Sequence, residues 1–387
     1  MSQPSLSTEQ QQVVNSISDW YKQSSKQYIT LGGYAGTGKT TILGSLNTIL
    51  NSKKKKLNIA YCSYTGKASR VLERKLRDSN SISYSDYIGT IHRLIYKAIV
   101  DERDNIIGWE KIPQSDFEYS LIVVDEASMI TQDIWNDLLS FNVPIIAVGD
   151  HGQLPPIDGN FNLMDNPELR LEKIYRQEAD NPIIMLSEMV RKGENIPFKE
   201  FGKNIKKLDK RDEDTQNQIS DLFNAFDDST MVLCGYNTTR NKLNMQIRGL
   251  QFDSLNPCNG DRVICLKNNR NMNIYNGMTG TILSIYKDKF KGSSYYQTEI
   301  SLDFEEEPFI GKISIEQFNS PTFNNLRLND INYFDFGYAL TVHKAQGSQA
   351  NRVILFEERF KSMDDQTYAR WLYTAITRAE KELFIVG

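Results

Sequence analysis

Residues 28–40 read Tyr28-Ile29-Thr30-Leu31-Gly32-Gly33-Tyr34-Ala35-Gly36-Thr37-Gly38-Lys39-Thr40, and this stretch decides the fold. Gly33 to Thr40 matches GxxxxGK[ST]. A short apolar run precedes it and a helical pattern follows, the context that spacing requires. The glycines let backbone N–H groups turn inward without Cβ clashes. Those groups, together with a helix N-terminus, favour an anionic phosphate. The spacing therefore predicts Lys39 on the β- and γ-phosphates of a nucleoside triphosphate and the Thr40 hydroxyl on Mg²⁺.

Working outward, Tyr28–Gly32, Leu57–Ser63, Leu121–Val124 and Pro144–Val148 read as nearly continuous apolar strands, as suits parallel strands covered on both faces. Helical patterns lie between them at Thr40–Leu50, Gly66–Arg77 and Gln132–Phe141. The alternation implies right-handed crossovers in a parallel sheet. A second series follows: strand Met231–Cys234, helix Thr238–Arg248, strand Val353–Phe356, helix Tyr368–Thr377 and strand Leu383–Val386. The fold class is thus α/β, with two such domains in tandem. Two inserts break the pattern. Tyr96–Ile112 reads as two strands around the polar turn Asp101–Asn105. Residues 276–336 hold the strand-like runs Thr279–Tyr286, Tyr295–Leu302 and Ile310–Ile315, which suggest a small β barrel or sheet.

Asp125-Glu126 ends the apolar run Leu121–Val124. Two carboxylates then stand at the carboxyl end of a strand beside the phosphate loop, where α/β sheets bind ligands. Asp125 would complete a Mg²⁺ shell and Glu126 would be the general base for an attacking water. Gln153, in Gly149-Asp150-His151-Gly152-Gln153, follows a third strand and could sense the γ-phosphate. Gln10 precedes the first strand at a distance suited to reading adenine, since amide side chains pair bidentately with adenine edges.

With these motifs in order, the sequence resembles the superfamily 1 helicases of the RecD-like and Dda-like 5′-to-3′ group. Tyr64-Thr65-Gly66-Lys67-Ala68 looks like motif Ia, Gly89-Thr90-Ile91-His92 like Ib, residues 125–128 like II and residues 149–156 like III. Tyr175-Arg176-Gln177 resembles motif IV, residues 338–348 motif V, and residues 373–379 motif VI. The resemblance implies two RecA-like domains. The first covers residues 1–92 and 119–168, and a β-hairpin pin covers 93–118. The second covers 169–275 and 337–387, with an SH3-like insert over 276–336. It implies ATP and Mg²⁺ as cofactors. Nucleotide contacts fall to Gln10, Gly33, Gly36, Thr37, Gly38, Lys39, Thr40, Thr41, Gly347 and Gln349. Lys39, Glu126, Gln153, Arg176 and Arg378 carry the catalysis, the two arginines reaching the γ-phosphate from the second domain.

The same resemblance puts Tyr64, Thr65, Lys67, Thr90, His92, Trp109, Thr341, His343 and Lys344 along a single-stranded DNA path that ends at a single/double-strand junction. Such contacts position a strand without reading its sequence. There are departures from the family. Motif Ia usually has Ala-Pro before its Thr, where this chain has Ser63-Tyr64; Tyr64 would stack a base or simply pack. A ribose-contacting Glu usually follows motif V, where this chain has Gln349. Trp109 would stack on the end base pair or anchor the hairpin, and His151 would contact the strand or serve the fold. Tyr295, Tyr296 and Phe309 read as the core of the second insert. An unwinding enzyme that works as a monomer, with replication or recombination proteins as its company, is the leading expectation. A strand translocase or protein-stripping motor and an ATP-gated strand-binding module are the alternatives.

Composition bounds the reading. The 387 residues carry 45 Lys plus Arg against 49 Asp plus Glu, a net charge of −4, with 40% hydrophobic residues. That excludes collagen-like, disordered and disulfide-scaffold classes. No apolar run is long enough to span a bilayer, and the N-terminus does not read as a secretory signal. No nuclease domain is expected after Leu383–Val386. Cys62, Cys234, Cys258 and Cys265 fit no metal or disulfide pattern and suggest reduced thiols in a cytosolic protein; the family resemblance, with the compact size, implies a bacterial or phage-infected cytoplasm. A net −4 leans away from nucleic acid, but the mean hides its distribution. Residues 1–92 hold 12 basic and 5 acidic side chains, a net +7, whereas residues 93–168 hold 4 and 14, a net −10. Positive charge therefore gathers where the phosphate loop and two strand-contact motifs lie.

Overall fold

The computed structural model describes residues 6–23, 25–50, 57–100, 106–156, 161–173, 181–269, 272, 274–290, 293–303, 305, 307–318, 320 and 331–387. The chain divides into two compact units, Met1–Ile184 and Met185–Gly387.

In the first unit, helix α1 (Thr8–Gln23) leads into β1 (Tyr28–Gly33), α2 (Lys39–Leu50), β2 (Ile59–Ser63) and α3 (Gly66–Asp78). After these come β3 (Tyr87–Thr90), α4 (Ile91–Ile95), the hairpin β4 (Tyr96–Val100) and β5 (Ile106–Lys111), β6 (Leu121–Asp125), α5 (Gln132–Leu139), β7 (Ile145–Gly149) and β8 (Leu169–Leu171). Six strands form a parallel sheet in the order β3-β2-β6-β7-β1-β8. Both faces are covered, and period-2 alternation divides each strand between them. Ile59, Tyr61, Leu121 and Val123 pack with α1, α2 and α3 on one face. Ala60, Cys62, Ile122 and Val124 pack with α4 and α5 on the other. This double burial is why the strands read as unbroken apolar runs rather than alternating ones. The sequence reading missed α1. Its mean hydropathy is low, and its buried stripe mixes the apolar Val13, Val14, Ile17 and Trp20 with the polar Gln10 and Ser18.

The hairpin stands where the sequence placed it, with Ala98 opposite Trp109 and a register shift between Ile99 and Val100. Its root is fixed by Tyr96, whose hydroxyl donates to Asp137, and by Lys111, whose Nζ lies 3.2 Å from Asp137 and 2.9 Å from Ser140 Oγ. The turn Asp101–Asn105 falls outside the described residues.

The second unit has a six-stranded sheet, β17-β11-β18-β19-β10-β9. It is built from β9 (Glu200–Gly202), β10 (Ile205–Leu208), β11 (Thr230–Cys234), β17 (Ala339–Thr341), β18 (Ala350–Phe356) and β19 (Ala379–Val386). All its pairings are parallel except β9 with β10. A separate antiparallel sheet, β15-β14-β13-β12-β16, uses β12 (Arg262–Cys265), β13 (Thr279–Phe290), β14 (Ser293–Leu302), β15 (Phe309–Ile313) and β16 (Phe334–Phe336).

Two expected boundaries move. Leu169–Leu171 pairs with β1, so the first sheet extends past residue 168. The small sheet starts at Arg262 rather than at 276, because β12 pairs with both β13 and β16. Tyr296 and Phe309 are buried in the small sheet's interior, at 7% and 4% exposure, whereas Tyr295, the neighbour of Tyr296 along β14, lies on the other face with its hydroxyl donating to Asp288, because successive strand residues alternate faces. Arg248 and Asp261 form a buried ion pair at 2.8 Å that also receives the Tyr338 hydroxyl at 2.7 Å. Removing one partner of such a pair typically costs about 3–5 kcal/mol. Cys62, Cys234 and Cys265 are buried and Cys258 is partly so, all with free thiols. Burial pushes the Cys234 and Cys265 thiols up to about 12, so they stay protonated and unreactive at neutral pH. Among the described residues, no helix is long and apolar enough to cross a membrane.

Candidate nucleotide site and strand-contact residues

The loop between β1 and α2 is shaped by two positive φ angles, +78° at Gly36 and +84° at Gly38. A side chain at either position would be strained. A Cβ on Gly38 would also run into the Gln10 amide, whose Nε2 donates to the Thr37 carbonyl at 3.2 Å. Gln10 is held from behind: Ser7 N donates to its Oε1 at 3.1 Å, and its own N–H is received by Ser7 Oγ at 3.2 Å. Helix α1 therefore fixes the expected adenine-reading residue directly against the phosphate loop. Thr37 is buried, its hydroxyl donating to the Tyr34 carbonyl at 2.8 Å. Thr40 and Thr41 follow Lys39 in the first turn of α2.

Lys39 curls into its own loop. Its Nζ donates to the carbonyls of Gly33 at 2.6 Å and Tyr34 at 3.0 Å, and lies 4.0 Å from Asp150 Oδ2. Asp150 was not singled out from the sequence. It is 1% exposed and receives Gly152 N at 2.9 Å and Gln153 Nε2 at 3.3 Å. Asp150 thus joins the expected phosphate lysine to the expected γ-phosphate sensor. The available signal was its position, directly after β7 and one strand from β1. The ring of His151 packs on Tyr34, with centroids 4.1 Å apart, which gives it a role in shaping the loop.

Asp125 ends β6, and its Oδ1 receives the N–H of Glu126 at 3.0 Å. Burial raises the Asp125 carboxyl above its ordinary value, while the Glu126 N–H and the charge of Lys39 oppose that rise. Glu126 adopts the left-handed conformation, φ +54° and ψ +40°. Such strain in a non-glycine residue costs on the order of 1–3 kcal/mol and concentrates at functional sites. Among the described residues no cluster of three or more His, Cys, Asp or Glu could hold a metal. One carboxylate and one hydroxyl suit Mg²⁺ instead, because that ion keeps several waters and takes its other ligands from substrate phosphates.

The strand-contact candidates of the first unit gather at neighbouring strand ends. Thr65 caps α3, accepting from Ala68 N at 3.2 Å, and Thr90 caps α4, accepting from Arg93 N at 3.3 Å. Each hydroxyl keeps its proton for donation. Tyr64 packs edge-on to His92 with ring centroids 5.9 Å apart, and His92 lies 5.8 Å from Tyr96. The row Tyr64-His92-Tyr96 therefore runs into the hairpin root. Lys67 lies in the first turn of α3. Trp109 is 41% exposed, so the hairpin presents it rather than buries it.

In the second unit, Thr341 ends β17 opposite Cys234 of β11 and is buried. His343 and Lys344 follow, and burial lowers both from their ordinary values; the charge of Arg240 adds to the effect on Lys344. His343 is accordingly a neutral imidazole at pH 7. Gly347 takes φ +72°, and Gln349 is exposed. Arg378, expected to project toward a phosphate, is 4% exposed. Its Nε donates to Thr374 O at 2.9 Å, one terminal nitrogen to Ser348 O at 3.1 Å and the other to Thr377 Oγ1 at 3.2 Å. The guanidinium thus donates to a carbonyl at the end of the helix Asp365–Ile376 and to one in the Gly347 loop. Tyr175, Arg176 and Gln177 lie outside the described residues.

The chain is similar to several known proteins. Residues 5–213 match the AAA domain family, and residues 336–386 match the UvrD-like helicase C-terminal domain. An ATP-dependent RecD2 DNA helicase from Deinococcus radiodurans is 27% identical over 99% of this chain and 49% of its own length. The chain thus spans about half the length of that relative. An ATP-dependent DNA helicase Pif1 from Campylobacter jejuni is 25% identical over 91% of this chain and 86% of its own. The Pif1 helicase from Bacteroides, solved with ADP-AlF3 and ssDNA, is 18% identical, with a TM-score of 0.57 over 99% of this chain and 92% of that one. At that identity the likeness speaks for the fold, two RecA-like domains in tandem. With a family match spanning more than half of the chain and an ordered series of motifs in both units, the protein belongs to the superfamily 1 helicases of the RecD/Pif1-like group.

Proposed function

We propose that this protein is an ATP- and Mg²⁺-dependent motor that moves 5′-to-3′ along single-stranded DNA and separates the duplex ahead. The observation that carries the reading is the junction of Lys39, Asp150 and Gln153 beside Asp125 and the Gln10-braced loop. Gln10 reads the adenine. Lys39 exchanges its bonds to the Gly33 and Tyr34 carbonyls for phosphate oxygens, and Thr41 steadies the phosphates beside it. Thr40 and Asp125 would hold the Mg²⁺, which when bound neutralises phosphate charge. Glu126 takes a proton from the attacking water. Gln153 reports the γ-phosphate through Asp150 to the rest of the first unit. Arg176 stabilises charge on the departing γ-phosphate, Arg378 fixes the Gly347 loop through Ser348 O, and Gly347 and Gln349 complete the nucleotide's surroundings.

Along the strand, Thr65, Lys67, Thr90 and His92 of the first unit and Thr341, His343 and Lys344 of the second hold phosphate and sugar. Trp109, exposed on its hairpin, meets the junction, and the β12–β16 sheet serves as the SH3-like insert over the strand. The relatives named as ATP-dependent DNA helicases support ATP and DNA as the substrates. The test uses two duplexes, one with a 5′ single-stranded tail and one with a 3′ tail, in the presence of ATP and Mg²⁺. The 5′-tailed duplex should open and the 3′-tailed one should not. Equal opening of both would sink the polarity. Brisk strand-stimulated hydrolysis with neither opened would favour a translocase.

A further inference from the structure

Ser63 is the last residue of β2 and is 0% exposed, and its Oγ has no hydrogen-bond partner among the described residues. A buried hydroxyl in that condition is disfavoured, and an alanine, the family's usual residue, would avoid the penalty. The side chain's surroundings suggest a use. Ser63 lies opposite Asp125 in the parallel pairing of β2 and β6. By alternation it shares a sheet face with Ile59 and Tyr61, as Asp125 does with Leu121 and Val123, and all four apolar neighbours pack toward α2 and α3. Neighbouring strands stand about 4.8 Å apart, so the hydroxyl and the carboxylate are side by side on the face that carries the phosphate loop.

Among the described residues three further buried side-chain oxygens lack partners: the Tyr61 hydroxyl, two residues before Ser63 within β2, and, past strand ends, Oγ of Ser128, shortly after Asp125, and Oε1 of Gln153, shortly after β7. Strands β2, β6 and β7 are consecutive in the sheet. The unpartnered oxygens of Ser63, Ser128 and Gln153 thus stand at or past the carboxyl ends of three adjacent strands, and Asp125 ends the middle one. Gln153 Oε1 can only accept, and the two serine hydroxyls can accept as well as donate, so all three can receive the hydrogens of waters around a cation.

We infer that Ser63 is a positioning residue for the metal: its Oγ accepts a hydrogen bond from a water of the Mg²⁺ hydration shell on the side facing Asp125. The inference rests on the nucleotide–Mg²⁺ reading of this site. Mg²⁺ dehydrates reluctantly, so protein groups act on it largely through its waters. Outer contacts of this kind orient the inner ligands, and losing one typically lowers metal affinity by 10–100-fold.

The experiment titrates Mg²⁺ into the full chain with a fluorescent ADP analogue and compares wild type with Ser63→Ala. Nucleotide affinity without metal and thermal midpoint without ligand are read alongside. Ser63→Ala should raise the half-saturating Mg²⁺ about 10-fold. Metal-free nucleotide affinity should be unchanged and the melting temperature equal or higher. An unchanged Mg²⁺ requirement overturns the inference. So does an equal loss of metal-free nucleotide affinity, which would mark a structural role. A wild-type protein that binds the analogue independently of Mg²⁺ removes the metal reading itself, and Ser63's role with it.

Discussion

The two large sheets end their strands in opposite ways. In the first unit the loop after β1 carries Gly36 and Gly38 at positive φ, and its lysine is held by two carbonyls of the loop itself with a carboxylate 4.0 Å away. In the second unit the loop after β17 carries one such glycine, Gly347, and the neighbouring cation is Arg378, buried and bonded to Ser348, Thr374 and Thr377. One sheet end holds a cation that can change partners, since Lys39 is a flexible point charge. The other holds a planar fork already matched to three acceptors. The same α/β scaffold therefore yields a site built to exchange ligands and a site built to be rigid.

The largest effect should come from breaking the exchangeable side. Lys39→Ala should lower DNA-stimulated phosphate release by about 10³-fold, with the fold retained and a modest fall in melting temperature, because two loop carbonyls lose a donor and Asp150 loses the cation 4.0 Å away. A variant that still hydrolyses ATP at a tenth of the wild-type rate would remove the distinction. Next comes the rigid side. Arg378→Ala should lower turnover by about 10²-fold and also destabilise the protein by about 2–3 kcal/mol, because Ser348 O and Thr374 O lose a charged donor. Loss of turnover with no loss of stability would mean that Arg378 does not tie the Gly347 loop down.

The smallest effect sharpens the picture of the second unit. Burial lowers His343 below its usual 6.5, so the unfolded chain takes up this proton before the folded one does. Its contribution to stability is thus intact above about 6.5 and declines as pH falls below that value toward the folded pKa. Between about pH 7.5 and 5.5, wild type should lose more thermal stability than His343→Gln. Equal losses would mean that the imidazole is not held neutral.

Much of the architecture was legible because parallel strands buried on both faces leave unbroken apolar runs. Tyr28–Gly33, Leu121–Asp125 and Ile145–Gly149 each match an expected strand to within a residue. The phosphate loop was legible because its glycines answer to local backbone geometry. What escaped was set at a distance. Helix α1 has too narrow an apolar stripe to announce itself, yet it braces Gln10 against Thr37, 27 residues on. Asp150 read as part of a motif, and only the adjacency of β7 to β1 brings it to Lys39. Strand β8 is three residues long, too short for any periodicity, so the first sheet extended past its expected boundary.

The sequence by itself determined the α/β class, the phosphate loop, the two carboxylates after β6 and the hairpin, because each follows from spacing along a few consecutive residues. Tertiary structure alone decided which groups meet. It put Asp150 beside Lys39, aligned Ser63 with Asp125 across two strands, and turned Arg378 inward. Those outcomes depend on strand order and on which acceptors the fold gathers around a side chain, and neither quantity is local to the chain.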